Sequence, residues 1–219
     1  MISSTEENYL KTLLHLEDKT GEATANELSK LLNIKMSTVN SMIKKFAEKG
    51  LVHYESYKPI TLTEEGRRQA ALILRKHRLV EMFLFEKMEF GWEHVHEIAE
   101  QIEHIKSPIF FDKIDELLNH PVADPHGSPI PDKNGNIALT NYLKLSDCKV
   151  NDKAVFSAVI DSNAEFLQFL TKRHLMLNIE ITIDAIETFD GSMTVSYNGN
   201  KNEVLSKFVC DRLLVIKQQ

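Results

Sequence analysis

Apolar residues recur at helical spacing through the first third of the chain. Tyr9, Leu10, Leu13, Leu14 and Leu16 form one stripe, opened by Ser4 and Glu7 as a capping box and broken at Gly21. Thr24 starts a second short helix, 25–32. After the turn Asn33-Ile34-Lys35, a third helix runs from about Met36 to Lys49, with Val39, Ile43 and Phe46 on its buried side and Gly50 as its stop. Residues 51–54 and 59–62 read as two short strands around the polar tip Glu55-Ser56-Tyr57-Lys58. Thr63 then caps a long helix reaching about Lys87, with Ala70, Leu74, Leu79, Phe83 and Phe85 as its apolar surface. Helix, short helix, turn, helix, hairpin, helix is the order of a winged helix-turn-helix.

Two further helices follow. A break at Phe90-Gly91-Trp92 leads into Val95 to His104, where Ile98, Ile102 and Ile105 make a dry side. After Ser107-Pro108, an apolar stripe over 109–118 serves as core or as a dimer seam. From Leu143 the period changes to two. Residues 154–160, 179–183, 193–197 and 213–216 read as strands, with hairpin turns at Asp190-Gly191-Ser192 and Asn198-Gly199-Asn200 and one helix from Asn163 to about Lys172. The expected fold is mainly α with a small β part. It comprises a winged helix-turn-helix over 1–75, a helical domain over 76–142, and a small β barrel over 143–219.

Charge sharpens this picture. The chain has 219 residues and a formal net charge of −6, which taken alone disfavours a nucleic-acid partner. Yet residues 1–78 hold thirteen Lys+Arg against ten Asp+Glu, while 79–219 hold thirteen against twenty-two. A basic front and an acidic remainder point to a DNA reader joined to a cation binder. Ser37, Thr38, Asn40 and Ser41 present small polar side chains at the start of the third helix, where major-groove contact is made. Lys44 and Lys45 follow, and Tyr57 and Lys58 at the wing tip reach for phosphate. No run is apolar enough to span a membrane, and the first residues lack the features of a signal peptide, so a cytoplasmic location is expected. Cys148 and Cys210 form no metal or disulfide pattern.

The cation binder has a visible donor set. At 100° per residue, His96, Glu100, Glu103 and His104 fall within an arc of about 100°, and His77 and Glu81 stand at i and i+4 of the preceding helix. Imidazole with carboxylate suits a divalent first-row metal. A metalloenzyme is the rival from another class, but the chain has no HExxH, no phosphate loop and no nucleophile in a catalytic setting. A winged-helix regulator sensing a non-metal ligand, with incidental histidines, also remains open.

The winged-helix start, Arg75-Lys76-His77-Arg78-Leu79, Val95 to His104 and the loop Asp124-Pro125-His126-Gly127-Ser128-Pro129-Ile130-Pro131 together resemble the diphtheria toxin repressor family, over essentially the whole chain. The resemblance implies a metal-activated repressor, not an enzyme, that binds a double-stranded DNA operator as a homodimer, without membrane or small-molecule substrate; it makes 76–142 a metal-binding and dimerisation domain and likens the barrel over 143–219 to an SH3-like domain. It implies an ancillary site at His77, Glu81 and His96 and a primary site at Asn8, Glu100, Glu103 and His104. Polar ligands from the third domain fall at Asp161 and Glu165, with Ser162 where one carboxylate is expected. Iron-type members carry sulfur at the Glu100 position and Met or Asp at that of Asn8; manganese-responsive members carry glutamate at the former. Mn2+ is therefore the expected ion and Fe2+ the alternative, with Zn2+, Co2+, Ni2+ and Cd2+ as substitutes in vitro. Small two-domain manganese regulators place a carboxylate where this chain has Lys11, which is expected instead to pair with a nearby acid.

Overall fold

The structure is a computed structural model that describes residues 2–56 and 58–218. It divides into two compact units. One comprises Met1–Val80, Ile98–Val122 and Ile130–Ala138; the other comprises Glu81–Glu97, Ala123–Pro129 and Leu139–Gln219.

In the first unit, α1 (Ser4–Thr20), α2 (Ala25–Leu31) and α3 (Met36–Glu48) precede a hairpin of β1 (Val52–His53) and β2 (Thr61–Leu62), paired antiparallel. The α1 capping box lies one residue earlier than the Ser4/Glu7 register. Ser3 N donates to Glu6 Oε2 at 2.8 Å, and Glu6 N donates to Ser3 Oγ at 3.3 Å. Val39, Ile43 and Phe46 are fully buried, each contributing about 1.5–3 kcal/mol of burial. The Phe46 ring meets Tyr9 edge-on at 6.2 Å, which fastens α1 to α3. Gly66 is required because a Cβ there would lie 1.9 Å from the Leu51 carbonyl oxygen.

The long helix α4 (Glu64–Met88) and α5 (Val95–Ile102) contribute to both units, and α6 (Pro108–Leu117) belongs to the first. The α5 helix ends two residues short of the expected His104, so Glu103 and His104 lie in the turn that follows. The expected dry side is also displaced. Val95 and Ala99 are buried, Ile98 and Ile102 only partly so, and Ile105 is exposed; Glu103, one turn after Ala99, is itself buried. The α6 stripe divides: Phe111 and Ile114 are core, whereas Ile109, Phe110 and Leu117 are exposed.

The second unit is built on a six-stranded antiparallel sheet. Its strands are β3 (Leu143–Lys144), β4 (Lys153–Val159), β5 (Glu180–Ile186), β6 (Met193–Tyr197), β7 (Asn200–Leu205) and β8 (Leu213–Lys217), in the order β3-β8-β4-β5-β6-β7. Register shifts in β4, β5 and β6 bend it over a core containing Phe156, Leu167, Leu170, Ile181 and Val195. Helices α7 (Ala164–Lys172) and α8 (Lys207–Cys210) complete it; Asn163 caps α7 by accepting from Glu165 N and Phe166 N. This is the expected C-terminal β domain. Strands β3 and β7 were not legible, since β3 has only two residues and β7 is a largely polar edge strand. Among the described residues, no helix is long and apolar enough to cross a membrane.

Candidate metal centre and DNA-reading face

On α3, Ser37, Thr38, Ser41 and Lys44 are exposed and Asn40 is half-buried, all on the side opposite Val39, Ile43 and Phe46. Ser41 Oγ donates to Ser37 O at 2.9 Å, which leaves its oxygen lone pairs as acceptors. Lys45 turns away toward α1, 3.3 Å from Glu6, where Lys49 also pairs at 2.5 Å. With Lys49 foremost, these contacts hold the Glu6 carboxyl down to about 2. At the wing, Lys58 pairs with Glu55 at 2.7 Å, both exposed; Tyr57 lies outside the described residues.

The donors expected at the primary site are near one another but do not share one centre. Lys11 Nζ sits 2.8 Å from Glu103 Oε1, 2.9 Å from its Oε2 and 3.4 Å from Glu100 Oε1. His77 Nδ1 donates to Glu103 Oε2 at 2.5 Å, so Glu103 belongs with His77 as much as with His104. Burial pushes the Glu103 carboxyl up, but the His77 hydrogen bond and the Lys11 charge outweigh it and hold the group below its ordinary value. His104 Nδ1 donates to Glu7 at 2.6 Å, and its Nε2 is 3.8 Å from Glu103 Oε1. Asn8 is half-buried on α1. Glu7 was not among the expected donors, because its spacing from Ser4 marks it as a helix cap. It is buried and held by Lys106 at 2.6 Å and Lys76 at 3.3 Å as well as by His104. Burial raises its carboxyl too, and these partners overcome that and lower it.

In the second unit, His96 Nδ1 donates to Glu81 Oε1 at 3.1 Å; His96 is half-exposed and Glu81 buried. One turn before Glu81 on α4 stands His77, buried in its own unit. Asp124 and His126 are buried beside Glu81 and were not singled out as donors, since a proline-rich loop does not declare where its side chains point. Asp161 Oδ1 accepts from Asn163 N at 2.9 Å, while its Oδ2 is 3.8 Å from Arg212; Glu165 is exposed in the first turn of α7. Among the described residues, neither joins a group of three converging acid or imidazole donors. The thiols are not donors: Cys148 and Cys210 lie in the β core, and burial pushes Cys210 up to about 12.

Residues 1–60 match the description "Iron dependent repressor, N-terminal DNA binding domain", and residues 63–132 match "Iron dependent repressor, metal binding and dimerisation domain". The iron-dependent repressor IdeR of Mycobacterium tuberculosis is 32% identical over 216 residues, covering 92% of each chain. The chain belongs to the diphtheria toxin repressor family. It is similar also to the diphtheria toxin repressor of Corynebacterium glutamicum, 25% identical over 212 residues and covering 92% of this chain and 91% of that one. Among solved structures, a manganese-dependent transcriptional repressor in complex with manganese superposes with a TM-score of 0.87 at 27% identity, over 97% of this chain and 99% of that one. As a diphtheria toxin repressor family member, the chain is a metal-dependent transcriptional repressor and not an enzyme.

Proposed function

We propose that Mn2+, with Fe2+ as the alternative ion, activates this repressor to bind operators of metal-homeostasis genes as a homodimer. The three stretches 1–75, 76–142 and 143–219 serve as DNA reader, metal and dimer domain, and β domain. The donor chemistry supports the ion. Glu7, Glu81, Glu100 and Glu103 with His77, His96 and His104 offer oxygen and imidazole nitrogen without sulfur, which suits the hard end of the first-row series. We assign His77, Glu81 and His96 to one site, His77 and Glu81 being one helical turn apart and His96 bonded to Glu81. Asn8, Glu100, Glu103 and His104 make the other, with Glu7 added to them. Asp161 and Glu165 are weaker candidates from the β domain.

The observation that carries the reading is the position of α1. Its neighbouring residues Glu6 and Glu7 hold opposite partners: Glu6 the recognition-helix residues Lys45 and Lys49, Glu7 the turn residues His104 and Lys106. Tyr9 adds the aromatic contact to Phe46. A shift of α1 at the donor end is therefore transmitted to α3. Held by the carboxylates and imidazoles at this end of α1 and α5, a divalent ion would supply the positive charge that offsets their mutual repulsion. Lys11 already neutralises Glu103, so its ammonium must turn out before those oxygens accept another cation. The exposed α3 face then presents Ser37, Thr38, Asn40, Ser41 and Lys44 to base edges and phosphates, with Lys58 of the wing as a further phosphate contact.

The test is fluorescence anisotropy with an operator duplex selected from random sequence in the presence of Mn2+. Between chelator and Mn2+, operator affinity should rise about 5- to 150-fold, with Fe2+ and Zn2+ compared anaerobically. Affinity indifferent to chelator would refute metal activation.

A further inference from the structure

We propose that the cleft between α4 and α6 in the first unit binds a small organic anion with an apolar body, in the class of a medium-chain carboxylate. A cavity of about 450 Å³ lies there, and the residues lining it all belong to that unit. Its walls are apolar: Leu72 and Leu79 come from α4, Pro108 and Phe111 from α6, and Ile105 from the turn before α6. Small-molecule sites are clefts of about 300–1,000 Å³ with mostly apolar walls and a few placed polar groups. Here those groups are cationic. Arg75, Lys76, Lys106 and Lys133 line the cleft, against Asp112 as the acid among its described residues. An apolar body finds its walls and an anionic head its partners in one place, whereas a neutral amphiphile finds only the walls.

The four cations divide by how firmly they are held. Arg75 lies 2.8 Å from Asp115 and donates to Pro131 O at 2.7 Å; Lys76 donates to Glu103 O at 3.1 Å and stands 5.5 Å over the Phe111 ring. These two complete the wall. Lys106 and Lys133 are 43% and 62% exposed and form the rim. Each ammonium has three N–H donors. Lys106 directs one at Glu7, 2.6 Å away, and Lys133 is 3.4 Å from Asp112 and 3.9 Å from Asp115, so both keep donors for a carboxylate. The outward apolar surface of α6 faces another way. At 100° per residue, Pro108, Phe111 and Asp112 occupy an arc centred roughly 160° from that of the exposed Ile109, Phe110 and Leu117. Lys106 also ties the cleft to α1. Glu7 accepts from Lys106 and from His104, and it stands among the metal donors assigned above. An anion on Lys106 offsets positive charge beside Glu7 and so favours a cation there; by linkage, Mn2+ strengthens anion binding by the same factor. That coupling rests on the function proposed above, whereas the cleft itself does not.

Full-length protein is titrated calorimetrically with octanoate in chelator, with octanol as the neutral probe and acetate as the probe without a tail. Octanoate should bind about tenfold or more tightly than either, since octanol lacks the charge-assisted contact and acetate lacks the methylenes. Lys106→Gln combined with Lys133→Gln should bring octanoate to the level of octanol, and Leu72→Trp should fill the cleft and weaken both, with circular dichroism checking that each variant folds. No octanoate binding, equal affinity for octanoate and octanol, or octanoate binding untouched in these variants overturns the site. Crystals of the wild type soaked in 8-bromooctanoate give a readout that needs no variant. A bromine anomalous peak beside Leu72, Leu79 and Phe111 supports the site, and its absence there refutes it. Repeating the wild-type titration in saturating Mn2+ reads the coupling, and octanoate affinity should rise about fivefold or more. Unchanged octanoate affinity beside Mn2+-dependent operator binding would overturn the coupling through Lys106. Octanoate binding beside metal-independent operator binding would overturn the repressor mechanism alone.

Discussion

The Lys11 ammonium lies 2.8 and 2.9 Å from the two oxygens of Glu103, a carboxylate with no exposed surface. A lysine in this place acts as a built-in competitor for the metal donors, because two positive groups cannot share the same oxygens in a poorly hydrated site. Lys11→Gln should raise Mn2+ affinity at these donors by about tenfold or more. In chelator the same change should lower stability by about 1–3 kcal/mol, since the buried Glu103 carboxylate then loses its ammonium partner and relies on the His77 hydrogen bond. Calorimetric titration and thermal melts with and without Mn2+ measure the two effects, and the Mn2+-induced rise in Tm should be larger in the variant.

Acid should loosen the joint between α1 and α3 in a defined window. Glu6 is held at about 2 by Lys49 first and then by Ser3 and Lys45, against an ordinary value near 4.5. A depressed carboxyl contributes stability that is fully present above the unfolded value and lost as pH falls through the folded one. The Glu6 contribution is therefore complete above about 4.5 and disappears toward about 2. Glu6→Gln should cost about 1–2 kcal/mol at neutral pH, and its unfolding free energy should converge on that of wild type below this window, as urea melts across pH will show.

What could be read from the sequence, and what could not, follows from where each signal originates. The α3 helix was legible because Val39, Ile43 and Phe46 repeat at one helical face and Gly50 ends it. Glu7 was obscured by local ambiguity: Ser3-Ser4-Thr5-Glu6-Glu7 offers two overlapping capping registers, and tertiary partners select Ser3 with Glu6. Glu103 sits among polar positions on a helical wheel, yet it is buried because Lys11 and His77 compensate its charge. Strand β7 carries Lys201, Asn202 and Glu203 at the sheet edge, where alternation is not demanded. Periodicity reports burial of apolar groups and is silent about buried charge that finds partners far along the chain.

Lys44 stands exposed on α3 beyond the small polar residues, where a phosphate contact costs the fold nothing. Lys44→Ala should weaken binding to operator and unrelated duplexes alike. The slope of log affinity against log salt should fall by about one in magnitude, and Tm should be unchanged. Ser37→Ala, by contrast, should reduce discrimination between operator and random DNA. Competition anisotropy at several salt concentrations distinguishes the two behaviours.

The exposed side of α6 carries Ile109, Phe110 and Leu117, with Ile105 just before the helix. An apolar surface of this kind, opposite a face already committed to core through Phe111 and Ile114, fits the seam of the proposed homodimer. Ile109 is 73% exposed, so Ile109→Asp leaves the core intact while placing a charge in the seam. Light scattering after size exclusion should report a monomer, and operator affinity should fall sharply because the two half-sites are no longer read together. A variant that remains dimeric would move the seam elsewhere.

Gly127 combines two demands that no other residue meets. Its φ is +83°, and an added Cβ would lie 2.1 Å from Ser157 O and 2.6 Å from Ala158 Cα, both backbone atoms of β4 that cannot swing aside. Gly127→Ala must therefore lift the loop from the strand. The lift strains the hydrogen bond from Val159 N to His126 O and that from Tyr142 Oη to Gly127 O. Strain in the backbone and lost packing together should cost about 2–4 kcal/mol, seen as a lower Tm in chelator.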